Sequence, residues 1–303
     1  MEITKIKGNT YYIKGGTNTG LYLFEDNSTL IIDPGLSGTR PKRIIDELEK
    51  NNMDLNYVIN THEHNDHYGA CNSFKSHFKG LEMLSSSQAK MYIENPDLFS
   101  KYIVGGRGNV FLDNHLKGKE HDSIFIDKVL EQGKVRINNS EFEIVDLPGH
   151  TPGSIGIITK DNVIFVGDAL VSDKILLKYD FLFIYDIEEY LNSLEILKKI
   201  EFDYLILGHG KEIISKEESY ILIAKHEQAI EKYLNQTKVL LGNPMTLENI
   251  LRELIKSNNL SYNYKEYHYL KSSLVSVISY LSDRDEISYL LEDGLLLYYT
   301  KKK

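Results

Sequence analysis

Residues 61–67 read Thr61-His62-Glu63-His64-Asn65-Asp66-His67. The chain holds only 10 histidines in 303 residues, yet His62, His64 and His67 all fall in this one segment. Imidazoles two positions apart at a strand end or in a loop can face the same way, and a carboxylate with a further imidazole follows at once. Such a run of borderline-to-hard donors suits zinc, iron or manganese. The bland alternative, a polar loop rich in histidine by chance, needs several infrequent residues to coincide. Immediately upstream, Asn56-Tyr57-Val58-Ile59-Asn60 is a short apolar run that reads as a buried strand ending where the donors begin.

Working towards the amino terminus, Tyr11-Tyr12-Ile13 and Leu21-Tyr22-Leu23-Phe24 read as short strands. The turn Glu25-Asp26-Asn27 joins the second of them to Leu30-Ile31-Ile32 as a hairpin, and Asp33-Pro34-Gly35 stops the run. Arg40 to Asn51 carries Ile44, Ile45 and Leu48 at helical spacing. On the other side of the donor cluster, Ser85 to Gly133 lacks a clear period and reads as helix, loop and insertion. The strand pattern returns at Phe142-Glu143-Ile144-Val145, Ile155–Ile158 and Val163–Val166, the last two joined by a Lys160-Asp161-Asn162 turn. Ile187 to Ile200 has helical spacing, and Tyr204–Leu207 is another short strand running into Gly208-His209-Gly210. Beyond about Ser215 the pattern becomes helical. It closes with two apolar runs, Ile287–Leu291 and Leu295–Tyr299, around Glu292-Asp293-Gly294, a hairpin signal.

Composition narrows the classes. Hydrophobic residues at 42% and charged residues at 26% are ordinary globular values, which excludes disorder and fibres. A net charge of −9 argues against non-specific binding to nucleic acid or anionic lipid. The single cysteine, Cys71, allows neither a disulfide framework nor a thiolate metal cluster within the chain and fits a reducing compartment. Any metal must therefore be held by histidine and carboxylate. The first residues lack an apolar leader, and no stretch approaches the roughly 20 apolar residues of a membrane span. A cytoplasmic protein with no membrane partner is the expectation.

The segment from His62 to His67 resembles the HxHxDH signature of the metallo-β-lactamase superfamily, complete at every defining position. Other stretches resemble that family's motifs in the same order: Asp33-Pro34-Gly35, then Leu147-Pro148-Gly149-His150-Thr151-Pro152-Gly153-Ser154, then Val166-Gly167-Asp168, then Leu207-Gly208-His209-Gly210. Together they cover about residues 1 to 215. The resemblance implies an α/β fold, a four-layer αββα sandwich with donors on loops at one edge. It further implies that His62, His64 and His150 hold a first metal, that Asp66, His67 and His209 hold a second, and that Asp168 bridges the pair. Two divalent ions are then the cofactors, with Zn2+ expected and Fe or Mn as alternatives. A shared water of lowered pKa would attack an electrophilic carbonyl or phosphorus, with Asp66 orienting it and moving its proton. Asp33 is expected to hydrogen-bond around the donors rather than bind metal. Thr61, Glu63 and Asn65 are expected to serve turn geometry or to support the donors, and Cys71 is expected to be a buried small residue.

The expected domains are a catalytic unit over 1–215, with an insertion at about 91–134, and a helical unit over 216–303. The insertion carries Tyr92, Phe99, Tyr102, Phe111, Phe125, His115 and His121, and reads equally as a substrate lid or as a surface elaboration. The carboxy-terminal unit resembles the winged-helix tail of lactamase-β-2-like proteins, some of which are ribonucleases. Residues 243–303 carry equal numbers of acidic and basic side chains, whereas a nucleic-acid reader needs a basic stripe. A dimer or packing module, giving a homodimer, is therefore preferred over nucleic-acid binding. The expected activity is hydrolysis of a small ester or thioester. The rivals are a metal-dependent phosphodiesterase or endoribonuclease, a mononuclear-iron thiol dioxygenase, and a non-catalytic module on the same scaffold. Gly153 and Ser154 stand shortly after His150, where the lactonase branch has a tyrosine. The basic substrate-binding residues of glyoxalase-II-like tails find no match.

Overall fold

The computed structural model describes residues 1–112, 123–210 and 213–301. His115, His121, Lys302 and Lys303 lie outside the described residues. Strand pairing sorts the rest into two large sheets. The first runs in chain order: β1 (Ile3–Lys7), β2 (Thr10–Ile13), β3 (Thr19–Leu23), β4 (Ser28–Ile32), β5 (Asp54–Ile59), β6 (Glu82–Ser86) and β7 (Lys128–Leu130). Pairing is antiparallel from β1 to β4 and parallel from β4 to β7. The second sheet contains β8 (Gly133–Ile137), β9 (Ser140–Asp146), β10 (Ile155–Ile158), β11 (Val163–Phe165), β12 (Tyr204–Ile206) and β13 (Ile213–Ser215), again in chain order. Only its β11–β12 pair is parallel among the described strands.

Strand alternation generates the layers. In β3 and β4, Leu21 and Ile31 point to one face, where Ile44, Leu48, Phe74, Ala89 and Ile93 of the flanking helices cover them. Tyr22, Leu30 and Ile32 point to the opposite face and meet Phe142, Ile144, Ile157 and Phe165 of the second sheet. The far side of that sheet, with Val145, Ile158, Ile164 and Leu205, is covered by helices again. The order is helix, sheet, sheet, helix, as the α/β reading requires. A period of 2 with both faces buried explains why Leu30, Ile31 and Ile32 of β4 are apolar in succession rather than alternating with polar residues.

The outer cover of the second sheet comes from two places. Helix Ile187–Lys199 contributes Tyr190, Leu194 and Leu197. The remainder is carboxy-terminal: helices Lys216–Leu240, Leu247–Asn258 and Tyr264–Asp283, and the ribbon β14 (Ile287–Glu292) with β15 (Leu295–Thr300). The longest helix starts at a capping box, in which Ser215 accepts from the Glu218 N–H and Glu218 accepts from the Ser215 N–H. The ribbon is tied back by Met245, which bridges to Tyr298, and by the Thr300 N–H donating to the Leu241 carbonyl at 2.8 Å. Leu251, Leu274, Val277 and Ile287 of this region lie in the same buried cluster as Ile164 and Leu205. Helices followed by a two-stranded ribbon agree with the pattern read beyond Ser215.

Among the described residues, five strands are missing from the sequence reading: β1, β6 and β8, which span five residues each and mix polar with apolar positions, and the three-residue β7 and β13. Residues 85–133 contain the end of β6 and all of β7, and β13 follows His209. β7 and β13 span three residues each and sit at sheet edges, too short for any period to register. No helix among the described residues is long and apolar enough to cross a membrane.

Candidate metal centre

Every donor-bearing loop except that of His150 leaves the carboxyl end of a strand in a parallel pair. β4 runs into Asp33 and β5, its parallel neighbour, into Thr61 and His62. β11 runs into Asp168, and β12, parallel to it, into His209. His150 lies in the connection between β9 and β10. Parallel strands deliver their carboxyl ends to a common edge, so residues 33, 62, 168 and 209 meet although the chain separates them widely. All seven donors named from the sequence converge there. His62, His64, His150 and Asp168 form one group and Asp66, His67 and His209 a second, each with donor atoms within 4.8 Å of one another. His67 Nε2 stands 3.3 Å from His209 Nε2 and 3.5 Å from Asp168 Oδ1. Asp168 Oδ2 lies 3.4 Å from His209 Nε2 and 3.8 Å from His150 Nε2, so this carboxylate reaches both groups.

The other ring nitrogens have fixed duties. Asp33 is buried; its Oδ1 accepts from the Thr61 N–H at 2.7 Å, and its Oδ2 accepts from Thr61 Oγ1 at 2.6 Å and from His67 Nδ1 at 2.8 Å. With its lone pairs so used, Asp33 supports the donors instead of forming a third ion site with His62 and His67. Thr61 Oγ1, having given its proton to Asp33, accepts from His62 Nδ1 at 3.0 Å. His150 Nδ1 donates to the Phe183 carbonyl at 3.0 Å, and His209 Nδ1 donates to the Gly16 carbonyl at 2.6 Å. These partners leave the Nε2 lone pairs of His62, His67, His150 and His209 turned inward. Two such lone pairs facing each other at 3.3 Å, as in His67 and His209, repel unless a cation or a proton lies between them. His62 Nε2 and Asp168 Oδ1 are buried with no hydrogen-bond partner among the described residues, and the ring nitrogen that His64 turns to the other donors is Nδ1, 3.0 Å from His150 Nε2. Buried polar atoms are rarely left so, and inward lone pairs on imidazole and carboxylate are what divalent cations require. The donor set therefore fits metal.

Electrostatics points the same way. Burial depresses His62 and takes His64 down to about 3, with neighbouring imidazoles adding to the effect. Burial also opposes charge on His67 and His209, yet Asp33 and Asp168 raise His67 to about 10, and Asp168 with Asp66 raises His209 to about 11. Burial would raise Asp168, but His209 and His67 hold it well below the usual carboxylate range. Without an ion, Asp66 and Asp168 thus draw protons onto His67 and His209, and a divalent cation would take the place of that positive charge.

Glycines make room for the cluster. A Cβ on Gly208 would stand 2.5 Å from Asp168 Oδ1 and 2.7 Å from His67 Cε1, and one on Gly167 would stand 2.4 Å from Thr61 Oγ1. Close backbone approach is the reason for glycine at both. Glu63, between two donors in sequence, points away from them: it is buried, accepts from Thr151 Oγ1 at 2.9 Å, and is pushed up to about 7 by burial. Cys71 is buried, its Sγ 3.4 Å from Asn60 Oδ1. The sequence reading missed the carbonyls of Gly16 and Phe183, because any residue type can present a carbonyl.

The superfamily profile described as "Metallo-beta-lactamase superfamily" matches residues 12–209. The chain belongs to the metallo-beta-lactamase superfamily. It is accordingly a metallo-hydrolase, and enzymes of the superfamily bind divalent metals. Among curated superfamily relatives, a hydroxyacylglutathione hydrolase of Haemophilus influenzae is 31% identical over 50% of this chain and 66% of its own length. A probable metallo-hydrolase of Methanocaldococcus jannaschii is 27% identical over 65% and 89%. Hydroxyacylglutathione hydrolase 1 of Vibrio vulnificus is 31% identical over 50% of this chain, but the match spans under half, 46%, of that relative. Of solved structures, a beta-lactamase domain protein from Burkholderia ambifaria superposes over 99% of this chain and 94% of its own with a TM-score of 0.77 at 16% identity. A metallo-beta-lactamase family protein from Thermus thermophilus gives 0.71 over 97% and 99%, also at 16%. Both likenesses extend through the carboxy-terminal helices, as likenesses of fold.

Proposed function

We propose that this superfamily member is a two-metal hydrolase of acyl thioesters or esters, zinc being the expected ion. His62, His64 and His150 would hold one cation, Asp66, His67 and His209 the second, and Asp168 both. The observation that carries the reading is the ring of inward lone pairs, with Asp168 within 4 Å of imidazoles from both groups. Two divalent ions bound there supply Lewis acidity and an activated water near neutral pH.

The chain's own residues do the rest. Asp33, Thr61 and the carbonyls of Gly16 and Phe183 lock four imidazoles in one tautomer each. Asp66 Oδ2 lies 3.1 Å from His209 Nε2, and its side chain is 41% exposed against 11% for Asp168. The more open carboxylate is the one placed to orient an attacking water and carry its proton to the leaving group. Thioesters are favoured among carbonyl substrates because the Haemophilus and Vibrio relatives are hydroxyacylglutathione hydrolases.

Elemental analysis followed by turnover of thioesters, lactones, β-lactams and phosphodiesters tests the proposal. Two metals per chain and thioester turnover are expected. Asp168→Ala should lose metal and at least about a thousandfold in kcat/KM while circular dichroism stays unchanged. One iron per chain with oxygen consumption would replace the hydrolase by a dioxygenase, and salt-sensitive RNA cleavage would replace it by a nuclease. A fully loaded, fully active Asp168→Ala enzyme would remove the bridge assignment.

A further inference from the structure

Over the His64–His150 half of the ring stands a group of aromatic side chains contributed by three distant segments. Phe99 comes from helix Asp97–Val104, Phe183 from the loop before helix Ile187–Lys199, and Tyr269 from the carboxy-terminal helix Tyr264–Asp283. Phe99 meets His64 edge-on at 5.1 Å between ring centroids, and Phe183 lies 5.7 Å from both His64 and His150. Tyr269 closes the wall at 5.2 Å from Phe183 and 6.3 Å from Phe99. Tyr102 stands edge-on to Phe99 at 5.0 Å. Phe183, Tyr102 and Tyr269 are only partly buried, so they line the surface beside the imidazoles instead of disappearing into the core.

Two features argue for a ligand rather than simple buttressing of His64. The Tyr102 hydroxyl oxygen is buried and has no hydrogen-bond partner among the described residues, which a native fold seldom tolerates unless something else supplies the partner. Burial first, and then the nearby Glu63 and Tyr269, keep Tyr102 in its protonated, donating form. Secondly, the wall is made of rings, and the cation over it, Lys265, sits on Tyr269 at 5.7 Å from the ring centroid. Rings prefer edge-to-face partners, so an aromatic group set against this surface would gain contacts that an aliphatic group of similar size does not.

We infer that this wall is the subsite for the acyl part of the substrate, and that the acyl group carries an aromatic ring with a polar substituent that reaches Tyr102. The inference rests on the hydrolase reading above but is separable from it by experiment. The carboxy-terminal helices are then part of the site through Tyr269, and helix Asp97–Val104 carries specificity through Phe99 and Tyr102.

Calorimetric titration of the metal-loaded full chain with acetate, phenylacetate and 4-hydroxyphenylacetate, the product acids, tests this without turnover. Phenylacetate should bind about tenfold or more tightly than acetate, because a ring leaves water. The 4-hydroxy acid should gain about a further fivefold by pairing with the Tyr102 hydroxyl. Tyr102→Phe should erase only that last gain. Phe99→Ala should bring phenylacetate close to acetate with metal content unchanged, and Tyr269→Leu, which does not touch an imidazole, provides the same test should Phe99→Ala lose metal. Equal binding of acetate and phenylacetate by the wild type, or variants that weaken all three acids alike, would overturn the subsite. Thioester turnover with no ring preference would leave the hydrolase standing without the subsite. Arylacetate selectivity without any thioester turnover would do the reverse.

Discussion

At the scale of single residues, the centre depends on groups that never touch a cation. Asp33 takes protons from three donors and fixes both His67 and Thr61, and through Thr61 also His62. Asp33→Ala should leave the seven donors in the chain yet weaken metal binding about 10- to 100-fold, read by competition with a chelator; unchanged affinity would show that the imidazoles hold their tautomers unaided. Gly208→Ala tests the space beside the ring. Its Cβ would sit 2.5 Å from Asp168 Oδ1, against a carboxylate fixed on both sides. Loss of one metal equivalent with the fold retained is the expected result, by elemental analysis and circular dichroism. Normal stoichiometry would mean that the loop can shift.

At the scale of elements, the carboxy-terminal helix Lys216–Leu240 is pinned to the loop that follows Asp168. His226, fully buried on that helix, donates from Nε2 to the Val171 carbonyl at 3.0 Å and accepts from the Tyr190 hydroxyl at Nδ1, at 2.9 Å. Burial lowers its pKa from 6.5 to about 4, the Val171 carbonyl opposing in part. Between those values the unfolded chain binds a proton that the folded one refuses. Stability is therefore intact above about pH 6.5 and falls as the pH drops towards 4, by at most about 3 kcal/mol. Denaturant unfolding from pH 4.5 to 7 should show this slope in the wild type, and His226→Gln should flatten it by up to that amount. Parallel curves for the two proteins would mean that His226 gains its proton in the fold as readily as outside it.

At the scale of the whole molecule, the question is whether residues 216–303 are an appendage. Ile164, Leu205 and Leu207 of the second sheet share one buried cluster with Leu222, Ile223, Leu251 and Leu274. Each fully buried aliphatic side chain is worth roughly 1.5–3 kcal/mol, and a domain's net stability is only about 5–15 kcal/mol. A chain ending at Ser215 would keep helix Ile187–Lys199 over that sheet face but bare the rest of it to water. It should express as aggregate or bind a hydrophobic dye without a cooperative melt. A soluble, cooperatively melting fragment would show that the catalytic layers stand alone.

Much of the centre was legible in the sequence because its donors sit in short, local frames: a dense run of histidines, or a histidine or aspartate directly after an apolar strand. Asp33 was legible too, as a carboxylate placed by a turn. Local spacing could not say that β4 and β5, or β11 and β12, lie side by side and parallel, which is what brings residues 33, 62, 168 and 209 to one edge. Edge strands of three residues leave no period to read, and the Gly16 and Phe183 carbonyls carry no residue signature. Phe99 and Tyr102 were legible as aromatics of a segment read as lid or surface elaboration, but nothing local joined them to Phe183 and Tyr269, which stand in two other segments far along the chain. The sequence by itself determined which side chains can bind a cation and that His62, Asp168 and His209 follow directly on apolar strands. Only the tertiary structure decided which lone pairs face inward and what stands over them, because ring orientation is set by partners far away along the chain.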